Sequence, residues 1–469
     1  MKKTVTTLVC LMFVCQVHSQ NAVYEWEGEV KQAATLIGSD PEAAEDAFDE
    51  LLKGKNKKNV ALLVDIGNAY LKEGDVKTAK EYAERAKAVD KECAFAYILS
   101  GDVAMAQNDL NLASIEYNQA IYFDEDCCEA YLKYADVYQG VNPQLSIDML
   151  LRLREKTPGD TRIDKRLGKL YYETGEYGMA IEAYDDYMKA GMPDAQDYTH
   201  YATLLYLNKE FHESLATAQK GLAMEPNWVL MRLLMYNRYE TGDYDGALKE
   251  AESFFAPSDS ADYVYLDYVY YGRLLGKHSL YDDALKQYEK ALALDSSKVE
   301  IYREISGVYE EQEDYPRAIE AYRTYMDARH SSADLGELFL YGRLNYFAAA
   351  DSTLKEQKAI YLSEADQAFA RVAEYAPDNY LGSFWRARTH SLLDPETTEG
   401  LAKPYYEAAL AVLEQKPDAS VPLLLECLSY MGYYYFLKGD YPTSKEYWER
   451  ILQIDADNQP AKAALEIFK

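Results

Sequence analysis

Basic residues are scarce in this chain of 469 residues: 49 Lys and Arg stand against 79 Asp and Glu, a formal net charge of −30. Nucleic acid and anionic lipid both demand a basic face, so neither is expected as a partner. Histidines number only six. Five of them (His200, His212, His278, His330 and His390) lie beyond residue 19, and none has the i, i+4 partner and glutamate of a zinc-hydrolase helix. No strand–Ser–helix elbow of the hydrolase type is present. Asp124-Glu125-Asp126-Cys127-Cys128-Glu129 lacks the spacing and central glycine of a calcium loop. Gly272 to Ser279 superficially resembles a phosphate loop, but its spacers are wrong and a helix, not a strand, carries it. No catalytic, cofactor or metal site is expected, and the chain is expected not to be an enzyme.

Cysteines beyond residue 19 are limited to Cys93, Cys127, Cys128 and Cys427. Cys93 and Cys127 fall in the same slot of consecutive repeats. Packed helices sit about 8–10 Å apart, whereas a disulfide wants its Cα atoms within about 7 Å. Free thiols are the default; a Cys93–Cys128 bond and a vicinal bond remain open.

Long hydrophobic runs are also missing. Leu423 to Leu437 is interrupted by Glu426, and Val5 to Val14 is too short for a permanent span. The latter follows Lys2 and Lys3 and precedes Val17-His18-Ser19, the layout of a signal peptide cut near Ser19/Gln20. A periplasmic or outer-membrane-associated product is expected, with peripheral membrane association open. Met12-Phe13-Val14 before Cys15 lacks the small residue of a lipobox, so lipidation of Cys15 is the minor alternative.

What the chain does have is repetition. Small residues recur at Gly67, Gly101, Ala135, Gly168 and Ala202, then at Gly272, Ser306, Gly342, Ala387 and Gly432. The first four steps are 34, 34, 33 and 34 residues, the mark of stacked helical hairpins that cover each other's apolar faces. Glu73-Gly74-Asp75, Thr174-Gly175-Glu176, Thr241-Gly242-Asp243 and Lys438-Gly439-Asp440 punctuate the pairs. Glycine supplies the left-handed residue that ends one helix, and the acidic residue caps the next. The spacing leaves no room for strands.

On these residues the chain resembles tetratricopeptide repeat (TPR) proteins of the exported, periplasmic type. Tyr302, Ile305, Ser306 and Tyr309 mark a first helix and Ala318 and Tyr322 a second; Gly432, Tyr435, Ser444 and Trp448 repeat the grammar. The resemblance implies an all-α, right-handed superhelical solenoid of about eleven helix-turn-helix units with capping helices at both ends. Residues 1–19 are read as signal peptide, 20–59 as N-terminal cap, 60–261 as units one to six, 262–458 as units seven to eleven and 459–469 as closing helix. Unit six is expected to be distorted between Met231 and Phe255, ending in a loop at Ala256–Ser260. Units nine and ten carry insertions near Ala348–Gln357 and Leu393–Leu401, which stretch the spacing to 45 residues each.

The 45 tyrosines are mostly packing residues. Tyr117, Tyr184, Tyr288, Tyr322 and Tyr406 share one second-helix slot, where a ring is expected to be buried with its hydroxyl partnered. The resemblance further implies binding of partner segments on the concave surface built by first helices. Register places Asn68, Lys165, Lys169, Asn237, Arg273, Lys277, Arg303, Arg343, Arg388 and Tyr433 there. A basic stripe inside an acidic molecule suits a carboxylate-bearing segment; internal salt bridges are the competing expectation. The implied role is a non-catalytic scaffold or adaptor of the cell envelope, with other envelope proteins as partners. A glycan-binding component of an outer-membrane nutrient-uptake system, stacking sugars on Trp385 or Tyr433, is the alternative.

Overall fold

The computed structural model describes residues 26–256, 263–329 and 333–468. The expected signal peptide and Cys15, most of the loop expected after Ala256, and His330 lie outside the described residues. Among the described residues there are α-helices and two short 3-10 helices, and no strand. No helix among them is long and apolar enough to cross a membrane.

The chain forms two compact units, residues 1–226 and 227–469. At Pro226 the ring disfavours helix at the residue before it. Glu225 accordingly turns extended, at φ −154° and ψ 150°, and Asn227 caps the next helix through the N–H groups of Val229 and Leu230.

The N-terminal unit opens with a helix pair, Glu27–Ala34 and Pro41–Leu51. The polar link expected at Gly54–Asn59 is a 3-10 turn, Gly54–Lys58. Five hairpins follow, from Val60–Lys72 with Val76–Val89 to Ala195–Leu207 with Phe211–Met224. In the second unit, the hairpin expected to be distorted is regular, Trp228–Glu240 paired with Tyr244–Phe254. Met235 fills its small-residue slot and is fully buried. Five further hairpins follow, the last ending in Tyr441–Ile454, and Gln459–Glu466 closes the array. The first insertion adds the 3-10 turn Ser352–Gln357 between paired helices; the second is the 394–402 loop, organised by Asp394 carboxylate oxygens that accept from the Thr398, Glu399 and Gly400 N–H groups.

The small residues explain the hairpins. A Cβ on Gly101 would stand 2.3 Å from the Tyr117 ring, on Gly168 2.5 Å from Tyr184, and on Gly272 2.6 Å from Tyr288. The ring sixteen residues on lies flat where a side chain would otherwise be, and all five tyrosines of that slot are buried, at 2–4 % exposure. Each such ring contributes about 1.5–3 kcal/mol of apolar burial. Where the backbones approach, hydroxyls bond across: Ser146 to the Ala135 carbonyl, Ser214 to Ala202 and Ser444 to Gly432, at 2.7–2.8 Å. The turns use left-handed residues as expected at Gly74, Gly175, Gly242 and Gly439. Asn108, Lys209, Ser279 and Glu313 adopt the same conformation without glycine. Asp75, Asp243 and Asp440 cap the following helices; Glu176 makes no side-chain cap bond.

Candidate partner-binding cleft

A cleft of about 810 Å³ opens in the N-terminal unit. The helix Thr161–Glu173 lays Arg162, Lys165, Arg166 and Lys169 along one side, a spacing that keeps them on one helical face. Tyr184, Tyr187 and Ala190 come from the helix Tyr177–Ala190, Gly191 and Met192 from the turn after it, and Gln196, Asp197 and His200 from the next first helix.

Asp197 organises the wall. Its side chain is 1 % exposed. One carboxylate oxygen takes the Lys165 ammonium at 2.6 Å; the other accepts from the Tyr187 hydroxyl at 2.5 Å and from the Asp194 N–H at 3.1 Å. Burial alone would push the Asp197 pKa up, but Lys165, Tyr187 and the Asp194 N–H outweigh it and hold the carboxyl below its ordinary value. Lys165 is therefore part of the frame. The other three cations pair with carboxylates that water reaches, 20–42 % exposed; Arg162 alone among them is gripped by both arms of its guanidinium. Arg166 pairs with Asp136 at 3.0 Å and Arg162 with Asp160 at 2.5 Å, while Lys169 stands 3.7 Å from Glu173. All four cation side chains, Lys165 included, are 41–44 % exposed.

The same carboxylate frame recurs. Asp267 accepts from Arg232 and from the Tyr236 hydroxyl (2.6 Å), and its other oxygen from the Val264 N–H (2.9 Å). Glu337 accepts from the Tyr325 hydroxyl (2.7 Å) and the Asp334 N–H (3.0 Å), and pairs with Arg329. Asp197, Asp267 and Glu337 are spaced by 70 residues, two repeats. In the intervening repeats the equivalent slot holds Leu230 and Ile301, and in the repeat before Asp197 it holds Ile163, all buried.

A tetratricopeptide repeat profile matches residues 64–126 and 272–333. The chain carries tetratricopeptide repeats. The C-terminal part of a TPR repeat-containing protein from Cytophaga hutchinsonii is 27 % identical, with a TM-score of 0.50, over 57 % of this chain and 99 % of that one. Pseudomonas aeruginosa pilF is 18 % identical, with a TM-score of 0.39, over 48 % of this chain and 100 % of that one. A TPR protein from Parabacteroides merdae is 18 % identical, with a TM-score of 0.34, over 53 % and 98 %. No curated protein sequence matches the chain.

The TPR register accounts for where the expected site residues lie. Lys165 and Lys169 meet in the cleft described above, and Asn68 lines a smaller one with Asp65 and Lys72. Asn237 is a correction: at 0 % exposure it is a buried residue of the helix Trp228–Glu240 and is not on an open face. Arg273, Arg343 and Arg388 are tied to Glu304, Glu310 and Glu426, Arg388 with both arms at 2.7–2.8 Å. The Arg303 guanidinium lies 5.9 Å from the centre of the Tyr325 ring and the Lys277 ammonium 5.5 Å from that of Tyr244. Tyr433 is 42 % exposed. Trp385 is engaged by Phe339, Tyr346, Phe369 and the Arg388 guanidinium, so its faces are packed.

Arg162, Arg166, Met192, Asp197 and His200 were not anticipated. The signal for Asp197 was present, an Asp-x-x-Asp cap at a position where the neighbouring repeats carry isoleucine and leucine. All four cysteines among the described residues are free. Burial pushes the Cys127 thiol up to about 11 and that of Cys427 up to about 12.

Proposed function

We propose that the protein is a non-catalytic scaffold of the cell envelope that holds carboxylate-rich segments of partner proteins against the first-helix faces of its repeats. The observation that carries this reading is the cleft: four cations and a single, already engaged carboxylate line it, in a chain of net charge −30. Exposed intramolecular ion pairs are worth about 0–1 kcal/mol. A partner's carboxylates therefore displace Asp136 or Glu173 at little cost, while Asp197 keeps the wall in place. The charged leader with its short apolar run supports export, and with it envelope partners.

The test is capture from envelope extracts by the wild-type protein and by an Arg166→Gln/Lys169→Gln variant. Lys165 is left intact, because removing it would strand the buried Asp197. Defined proteins recovered by the wild type and lost by the variant are expected; equal recovery would remove the cleft from the account. Export is checked separately by the size and cell fraction of the mature chain.

A further inference from the structure

The rim of the cleft carries a feature that charge does not explain. Met192 is 94 % exposed, the highest value for a large hydrophobic side chain among the described residues. It does not sit on a loose loop. The Gly191 N–H donates to the Tyr187 carbonyl at 2.6 Å, and a Cβ on Gly191 would stand 2.6 Å from that same oxygen. Tyr187 is in turn bonded to the buried Asp197. Pro193 follows, with φ fixed by its ring. The turn thus holds an uncovered thioether beside Arg162, Arg166 and Lys169, anchored by the carboxylate that frames the cleft wall.

We infer that the inter-repeat turn at Met192 is a second recognition element, and that the partner segment presents an apolar side chain beside its carboxylates. This rests on the scaffold reading and adds the partner's chemistry to it. Carboxylates engage Arg166 and Lys169; an aromatic or branched aliphatic side chain packs on the flexible, polarizable Met192. An acidic polysaccharide has the charges but no such side chain, so the exposed methionine favours a peptide segment over a glycan.

Fluorescence anisotropy on the full protein tests this with two labelled twelve-residue peptides. Each carries four glutamates; one has phenylalanine at the two positions where the other has serine. The phenylalanine peptide is expected to bind the wild type about tenfold more tightly. Met192→Ser should erase that preference while leaving the serine peptide's affinity unchanged, and Met192→Leu should retain it. Arg166→Gln/Lys169→Gln should weaken both peptides about equally. A preference unchanged in Met192→Ser, or an oligogalacturonate binding as tightly as the phenylalanine peptide, would overturn the inference. No preference in the wild type would overturn it too, with the scaffold reading intact so long as the double variant still loses binding. Binding of both peptides that survives the double variant would instead sink the cleft itself.

Discussion

Arg232 and Asp267 are joined by two guanidinium–carboxylate bonds, 2.6 Å at Nε and 2.9 Å at Nη2, in a slot that Leu230 and Ile301 fill in the flanking repeats. Asp267 is fully buried and the Arg232 side chain is 17 % exposed. Breaking such a pair from one side leaves a buried charge, a loss of about 3–5 kcal/mol, whereas replacing both partners with apolar residues is often neutral. Asp267→Ala is therefore expected to lower the urea midpoint of the second unit sharply. Asp267→Ile combined with Arg232→Met should recover most of it. Equal loss in the single and double variants would contradict this.

Gly101 and Gly28 give opposite expectations for the same substitution. The Tyr117 ring occupies the space of a Cβ at Gly101, so Gly101→Ala forces the hairpin apart and costs about 1–3 kcal/mol. Nothing lies within 4 Å of a Cβ at Gly28, which is helical, and Gly28→Ala should gain about 0.5–1 kcal/mol. Thermal denaturation of the two variants reads both signs.

Lys209 and Glu313 hold left-handed turns, at φ 65° and 57°, where other repeats use glycine. Lys209→Gly and Glu313→Gly should each stabilise by up to about 1 kcal/mol, since the left-handed conformation costs a residue with a Cβ about 1–2 kcal/mol. Destabilisation by either, in the same denaturation assay, would be contrary.

Two groups give the pH profile opposite slopes. Burial would raise the Asp366 pKa, but His390 and Arg386, at 3.1 and 2.8 Å, outweigh it and bring it down to about 2. A depressed carboxyl contributes stability above its unfolded value, near 4, that disappears as pH falls towards 2. His278 donates to the Leu274 carbonyl and pairs with Asp245, at 2.8 and 2.9 Å, and both raise its pKa. Its contribution is complete below about 6.5 and lost as pH rises through the elevated folded value. NMR titration of His278 should give a midpoint above 6.5, returning towards that value in Asp245→Asn.

The hairpins were readable from the sequence because they rest on contacts about sixteen residues apart, such as Gly168 with Tyr184, which leave a periodic imprint. Turn residues such as Gly74 carry their signal within three positions. The cleft is built differently. Lys165 meets Asp197 across 32 residues, and Arg232 meets Asp267 across 35. Register alone placed Lys165 on the first-helix face but could not show that a carboxylate in a core slot would claim it. Unit six, expected to be distorted, is regular: Met235 stands in the small-residue slot, is fully buried, and the hairpin closes normally.

The central claim, that partners dock in the cleft framed by Asp197, is tested most directly by position-specific photo-crosslinking in intact cells. A crosslinker replacing Gln196, at the cleft wall, is compared with one replacing Ile115, an exposed second-helix residue. Discrete protein adducts from position 196, lost with Arg166→Gln/Lys169→Gln and absent from position 115, are the predicted result. Identical adducts from both positions, unaffected by those substitutions, would contradict it.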